Sequence, residues 1–300
     1  MTQCFYSHGK LLLTGEYVVL DGALSLAIPT QKGQSLEVTE VNQPVIQWQS
    51  FLQDKSLWIE KEFDLSLSES FKEKDNILAR IQQILQEAQK LNPSIFKKGV
   101  HFKNELEFAR SWGLGSSSTL IYNIAQWAQI DPYVLLANTF GGSGYDIACA
   151  GAHSPITYQL TQGKPEVKTV DFNPSFKEEL FFVHLNKKQN SRESIQHYRS
   201  SQPENLNTAI SEISSITAAC IESKKIEYFE ESILEHEQII SDLIKTPTIK
   251  QQLFPDYHRN IKSLGGWGGD FILAVGGEKE KKYFKDKGFS TIVSYSEMAL

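Results

Sequence analysis

Gly113-Leu114-Gly115-Ser116-Ser117-Ser118 lies within the run Phe108-Ala109-Arg110-Ser111-Trp112-Gly113-Leu114-Gly115-Ser116-Ser117-Ser118-Thr119-Leu120. Upstream, Val100, Phe102, Leu106 and Phe108 partly alternate, as an extended segment does. Downstream, Leu120, Ile121, Ile124, Ala125 and Ala128 share one helical face. A glycine-containing loop thus opens onto a helix N-terminus. Two glycines let a backbone come close to a ligand. The first helical turn offers unpaired N–H groups and the positive end of the dipole, and three serines add hydroxyls. Such a loop suits an anion, phosphate foremost. Glycine-serine clusters also serve as plain turns and N-caps, so this stretch alone leaves both readings open. It is neither a Walker A loop, lacking Gly-Lys-Ser/Thr, nor a dinucleotide fingerprint, lacking the G-x-G-x-x-G spacing.

The length of 300 residues allows one large domain or two of ordinary size. Thirty basic against 36 acidic residues give a formal charge of −6. That argues against a general nucleic-acid binder, so a phosphate ligand must meet a local positive site. Cys4, Cys149 and Cys220 have no metal-type spacing and read as buried or free thiols of a reducing compartment. Lys10 and Glu16 interrupt the only early apolar stretch, and no window suits a bilayer span. A soluble, cytoplasmic protein without membrane partners is expected.

Three further stretches carry chemistry. In Gly9-Lys10-Leu11-Leu12-Leu13-Thr14-Gly15-Glu16-Tyr17-Val18-Val19-Leu20-Asp21-Gly22, two apolar runs flank Gly15-Glu16-Tyr17, and Asp21-Gly22 marks a turn. The pattern predicts strand, turn, strand, with Lys10 at the head of the first strand. In Phe140-Gly141-Gly142-Ser143-Gly144-Tyr145-Asp146, three glycines precede a single carboxylate. They aim Asp146 from a tight turn, or else Asp146 caps the short helix after it. In Lys262-Ser263-Leu264-Gly265-Gly266-Trp267-Gly268-Gly269-Asp270, four glycines in five places exceed what packing alone demands.

Between these stretches the periodicities are ordinary. Residues 34–66 read as a β-ribbon carrying Trp48, Phe51 and Trp58. Ile77 to Leu91 keeps one apolar helical face, capped by Asp75 or Asn76 and ended by Pro93. Asp131-Pro132 starts a helix. Asn173-Pro174-Ser175 reads as a linker, which divides the chain into 1–175 and 176–300. Leu180 to Leu185 is a buried strand, followed by the basic-polar run Asn186-Lys187-Lys188-Gln189-Asn190-Ser191-Arg192, read as a loop. Two helices, over 206–220 and 229–244, then a final helix and strand, complete the chain.

The first stretch resembles the first motif of the GHMP kinases, the family of galactokinase, homoserine kinase, mevalonate kinase and phosphomevalonate kinase. Gly113–Ser118 resembles their ATP-phosphate loop, Gly142-Ser143-Gly144-Tyr145-Asp146 their Gly-x-Ser-Gly-x-Asp element, and Gly265–Asp270 their third motif. Tyr17 after Gly-Glu and the wording Gly-Ser-Gly-Tyr-Asp are similar to the phosphomevalonate kinase branch. The resemblance implies an α+β GHMP kinase fold. Its N-terminal, ATP-binding domain (1–175) would be like ribosomal protein S5 domain 2, and its C-terminal domain (176–300) ferredoxin-like.

It also implies an ATP-dependent kinase of 5-phosphomevalonate, with mevalonate as the alternative acceptor, acting as a monomer or homodimer. Lys10 and Asp146 become the catalytic pair. Gly113, Leu114, Gly115, Ser116, Ser117 and Ser118, with Asn76, become the ATP contacts. Glu16, Tyr17, Ser143, Gly144, Lys188, Ser191, Arg192, Gly266, Gly268 and Gly269 become the acceptor contacts. The family's Mg²⁺ is held by a serine of the second motif, here Ser117, and by an upstream acid. The corresponding segment, Val134 to Thr139, has no acid, which leaves Ser117, phosphates and water.

Other departures are Ala109 for a proline, Leu264 for a serine, and Trp267 for a glycine. A diphosphomevalonate decarboxylase is disfavoured, because the Asp146 element lacks the arginine of those enzymes. A non-catalytic binder of ATP or a metabolite on the same fold is the rival from another class. Trp267 and the missing acid favour it, and Lys10 and Asp146 oppose it.

Overall fold

The computed structural model describes residues 2–69, 77–201 and 205–300, with Ser191 in backbone only. They form two compact units that alternate along the chain. The first comprises residues up to Gly9, Lys32–Arg110 and Gly115–Gly151, and the second Lys10–Gln31, Ser111–Leu114 and Ala152–Leu300. The single cut expected near residue 175 does not describe this division. Two early segments pack with the C-terminal half, because contacts rather than chain order define a compact unit.

β1 (Thr2–Leu12) begins in the first unit and pairs with β2 (Ser25–Val41), whose later part, from Lys32, belongs to that unit. β3 (Val45–Phe51) and β4 (Leu57–Asp64) form a hairpin; α1 (Ile77–Leu91) and β5 (Gly99–Leu106) follow. β5 runs antiparallel to the later part of β2 and parallel to β3. Then come α2 (Ser116–Ala128), α3 (Pro132–Thr139) and α4 (Tyr145–Ala150). The side chains that alternate inward from the strands, among them Val38, Trp48, Phe63 and Phe102, pack on Ile81, Leu85, Ile121 and Ile124 of α1 and α2. Trp48 is core rather than surface, its Nε1 donating to Ser50 Oγ at 2.8 Å. Asp131 caps α3 through the N–H groups of Tyr133 and Val134, with Pro132 at the first helical position as expected.

In the second unit, β2 begins paired with β6 (Ile156–Thr161), which pairs with β7 (Lys164–Thr169). β8 (Leu180–His184) leads through α5 (Ser191–Ser201), α6 (Leu206–Glu222), α7 (Ile226–Ile244) and α8 (Ile249–Leu253) to β9 (Ile261–Ser263) and β10 (Phe271–Val275). The unit ends with α9 (Glu278–Asp286), β11 (Ile292–Ser294) and α10 (Tyr295–Met298). The antiparallel sheet has the order β11-β8-β10-β9. Numbered within the unit, that is 4-1-3-2 with helical connections after the first and third strands, the expected ferredoxin-like arrangement.

Three local expectations change. Lys10 stands near the end of β1, not at the head of a strand. Val18–Asp21 is a 3₁₀ turn rather than a strand. Left-handed backbone at Gly15 (φ 94°) and Tyr17 (φ 67°) breaks the extended path, and Val19 N–H closes on Gly15 O at 2.9 Å. The run after β8 coils into α5 from Ser191. Among the described residues, no helix is long and apolar enough to cross a membrane. None of the three cysteines forms a disulfide among the described residues, and Cys149 and Cys220 are buried.

Candidate functional site

β1 delivers Lys10 to the glycine loop within the second unit. The Lys10 main-chain N–H donates to Leu114 O at 3.0 Å, and Nζ donates to Gly113 O at 2.8 Å. One residue thus ties the first glycine stretch to the second. Gly113 has φ 67°, and a β-carbon there would lie 2.3 Å from Cγ of Asp270. Only glycine satisfies both conditions.

Asp270 ends the third glycine run, and sequence reasoning left it without a role. It is held in left-handed backbone, φ 55°, and is 8% exposed. Its N–H donates to Lys187 O at 2.7 Å, and its carbonyl accepts from Leu185 N–H at 2.8 Å. Its Oδ1 accepts from Gln189 N–H at 3.1 Å. Burial holds its carboxyl above the ordinary carboxylate range, opposed by Lys10, the Gln189 N–H and Lys188.

The loop from Leu264 to Asp270 is pinned on both sides. Ser194 Oγ donates to Gly266 O at 3.0 Å and accepts from Gln189 Nε2 at 3.1 Å. A β-carbon on Gly269 would stand 2.8 Å from Lys187 O. Gly268 has φ 94°. The expected acceptor residues Gly266, Gly268 and Gly269 therefore lie against the segment that carries Lys188. Lys188 and Arg192 are exposed, and the Arg192 N–H donates to Asn190 Oδ1 at 3.1 Å as α5 begins. Tyr17 is buried, hydrogen-bonded to Ser194, with its ring 5.4 Å from that of Tyr198.

Glu16 is inside, 2% exposed. Its Oε1 accepts from Lys262 Nζ at 2.7 Å, and Glu237 Oε1 lies 3.2 Å from the same ammonium. Ser263 Oγ donates to Glu237 Oε2 at 2.7 Å. His236 Nε2 accepts from Gly15 N–H at 2.9 Å and is therefore held neutral by its lone pair. Burial pushes the Glu16 carboxyl up to about 7 against the pull of Lys262. Burial and the Lys262 charge press His236 well below its ordinary value. A carboxylate in this position braces the turn after Lys10 rather than meeting solvent. Lys262 was visible as the first residue of the third stretch, but residue type gives no sign of burial.

In the first unit, Gly115 caps α2 in left-handed backbone, φ 88°. Leu114 is fully buried, so it can offer a ligand only backbone. Ser117 is exposed and Ser116 half-buried, whereas Ser118 is buried with Oγ donating to Gly115 O at 2.9 Å. Thr119 Oγ1 donates to Gln34 Oε1, fixing the first turn to β2. Upstream, the Arg110 guanidinium stacks on the Trp58 ring at 3.6 Å. Gly144 caps α4 with φ 88°, beside Ser143. Half-buried Asp146 accepts the Ile147 N–H at 3.1 Å through Oδ1. Asn76 and Asp75 lie outside the described residues.

The chain has the mixed α+β fold of the GHMP kinases. It matches the mevalonate kinase of Methanococcus jannaschii with a TM-score of 0.69 at 14% identity, covering 97% of each chain. It matches the phosphomevalonate kinase of Streptococcus pneumoniae, in complex with phosphomevalonate and AMPPNP, with a TM-score of 0.71 at 16% identity, covering 97% of this chain and 99% of that one. The galactokinase of Lactococcus lactis, complexed with galactose, gives a TM-score of 0.68 at 11% identity, over 100% and 93% of the chains. No family model and no curated protein sequence matches this chain.

Proposed function

We propose that this chain is an ATP-dependent small-molecule kinase that phosphorylates 5-phosphomevalonate on the mevalonate route to isoprenoids. The observation that supports it is the double grip of Lys10 on the Gly113–Leu114 backbone. A lysine carried to a glycine loop at a helix start gives a positive charge and free N–H groups, as a transferring phosphoryl group requires.

In this proposal the Gly113–Ser118 backbone, with Ser116 and Ser117, cradles the nucleotide phosphates. Lys10 neutralises charge developing on the transferred group. Asp146 orients the acceptor hydroxyl. Phosphoryl transfer is loose, so holding the nucleophile in line matters more than removing its proton early. Gly266, Gly268, Gly269, Lys188 and Arg192 are assigned to the acceptor. Among the described residues, no group of three or more His, Cys, Asp or Glu could hold a metal ion. In this proposal Mg²⁺ accompanies ATP, with Ser117 as the protein hydroxyl offered to it and water completing its shell.

The test is ADP release from Mg-ATP with 5-phosphomevalonate, mevalonate or no acceptor. Turnover on the phosphorylated acceptor alone supports the proposal, and turnover on mevalonate alone replaces the substrate. Trp267, buried in the third glycine loop, favours a second reading, a non-catalytic binder. ATP binding without transfer to either acceptor would support it.

A further inference from the structure

Asp270 sets a carboxylate against a loop suited to anions, and its two oxygens are not equivalent. Oδ1 is committed, accepting the Gln189 N–H at 3.1 Å. Oδ2 accepts no hydrogen bond among the described residues. It is not sealed in either. The buried side-chain atoms that lack a partner belong to Glu16, His236, Glu237 and Trp267, so the 8% of Asp270 that stays exposed includes Oδ2.

The carboxylate is aimed by fixed backbone. Asp270 is left-handed, φ 55°, and is tied to Lys187 O and Leu185 N–H. Two glycines make way for Oδ2. A β-carbon on Gly113 would lie 2.4 Å from it, and one on Gly265 3.4 Å. Strained backbone that holds an open charged oxygen between two glycines is a preorganised contact. Lys10 and Lys188 draw on its charge, and Lys10 Nζ donates to Gly113 O at 2.8 Å. A bare polyphosphate brought to Gly113–Leu114 would still meet Oδ2 as a like charge, and such repulsion is strong away from bulk water. A hard divalent cation removes the conflict. Mg²⁺ takes one or two carboxylates together with substrate phosphates and keeps water for the rest of its shell. One open carboxylate oxygen beside a phosphate loop fits that demand.

We infer that Asp270 Oδ2 is a ligand to the divalent cation that the nucleotide carries, in place of one water, so that the loop admits the metal-bound triphosphate and repels the bare one. The inference deepens the kinase proposal and rests on it for the identity of the nucleotide. It supplies the carboxylate that Val134–Thr139 lacks.

The experiment is calorimetric binding of AMPPNP to the full chain, with Mg²⁺ or with EDTA. Wild type should prefer the Mg²⁺ form. Asp270→Asn keeps the shape and the acceptor for the Gln189 N–H and removes the charge. It should weaken the Mg²⁺ form by about 10-fold or more, since even outer-shell partners of a metal cost that much, and leave the metal-free form unchanged or tighter. A purely structural role would weaken both alike. A second measurement needs no change at Asp270. In chain labelled with ¹³C-carboxylate aspartate, bound Mn²⁺·AMPPNP should show a ¹³C coupling by electron–nuclear double resonance, and the coupling should persist in Asp146→Asn. If Asp270→Asn fails to fold, this resonance decides alone. Equal affinities with and without Mg²⁺ in wild type, parallel weakening in Asp270→Asn, or no coupling that survives Asp146→Asn overturns the inference and leaves the kinase proposal to the ADP-release assay. Selective weakening or a surviving coupling, without phosphoryl transfer, keeps the metal contact and removes the kinase reading. No AMPPNP binding in either condition overturns both.

Discussion

The carboxylate of Asp270 occupies the space that a side chain on Gly113 would need, with Oδ2 2.4 Å from the position of its β-carbon. Gly113→Ala therefore collides with a buried, thrice-bonded aspartate while also facing a left-handed φ of 67°. It should raise KM for ATP at least tenfold and lower the melting temperature. Combined with Asp270→Ala, the same change should cost less than alone, a coupling of about 1 kcal/mol or more in a double-mutant cycle. Strict additivity would separate the two loops.

Lys10 donates to both Gly113 O and Leu114 O. Lys10→Ala keeps the main-chain bond and removes the charge, so the fold should survive. Turnover should fall roughly 10²- to 10³-fold, the usual loss for one preorganised donor. Near-normal turnover would sink the assigned role. Asp146→Asn, which can still accept the Ile147 N–H, should cut turnover while leaving ATP binding intact, measured by calorimetry.

Lys262 is 0% exposed between Glu16 and Glu237. Lys262→Met leaves two buried carboxylates without a counter-charge and should cost about 3–5 kcal/mol in urea denaturation. Adding Glu16→Leu and Glu237→Leu should restore much of that loss, since the penalty belongs to the unpaired charges. A triple variant as unstable as the single one would contradict this.

The same network sets a pH dependence of stability. Folding raises Glu16 from its ordinary value of 4.5 to about 7. Between those values the folded chain keeps a proton that the unfolded chain has released, so this contribution weakens as the pH rises and levels off above 7. His236 acts oppositely. Held neutral by burial and by Lys262, it costs stability as the pH falls below its ordinary value. Glu16→Gln retains His236 and removes only the first effect. The melting temperature of wild type minus that of Glu16→Gln should therefore be larger at pH 5 than at pH 8. A pH-independent difference would mean that Glu16 does not hold the proton.

The sequence displayed what depends on spacing. The 3.6-residue period of Ile77–Leu91, the Asp131-Pro132 start and the apolar run at β8 all appear in the structure. The four glycine stretches were visible because glycine marks backbone that other residues cannot adopt. Burial of charge was not visible. Glu16 was expected to meet the acceptor and Lys262 had no assigned role, yet chain segments far apart enclose both. Nor was the turn at Val18–Asp21, whose apolar run mimics a strand. α5 escaped notice because its stability rests on anchors elsewhere. Tyr198 Oη donates to Asp21 Oδ2 at 2.5 Å and Arg199 to Oδ1 at 2.6 Å. Asp270 lay in plain view at the end of a quoted motif, but its role follows from Gly113, 157 positions earlier.

The bond from Lys262 to Glu16 joins residues 246 positions apart. During synthesis the Gly15-Glu16-Tyr17 turn leaves the ribosome 246 residues before its ammonium partner. Until then a carboxylate destined for the interior has no counter-ion, and water is its best environment. The turn that follows Lys10 must therefore wait in solvent, and the second unit can close around it only once β9 has emerged, a late and non-local step of the kind that slows folding.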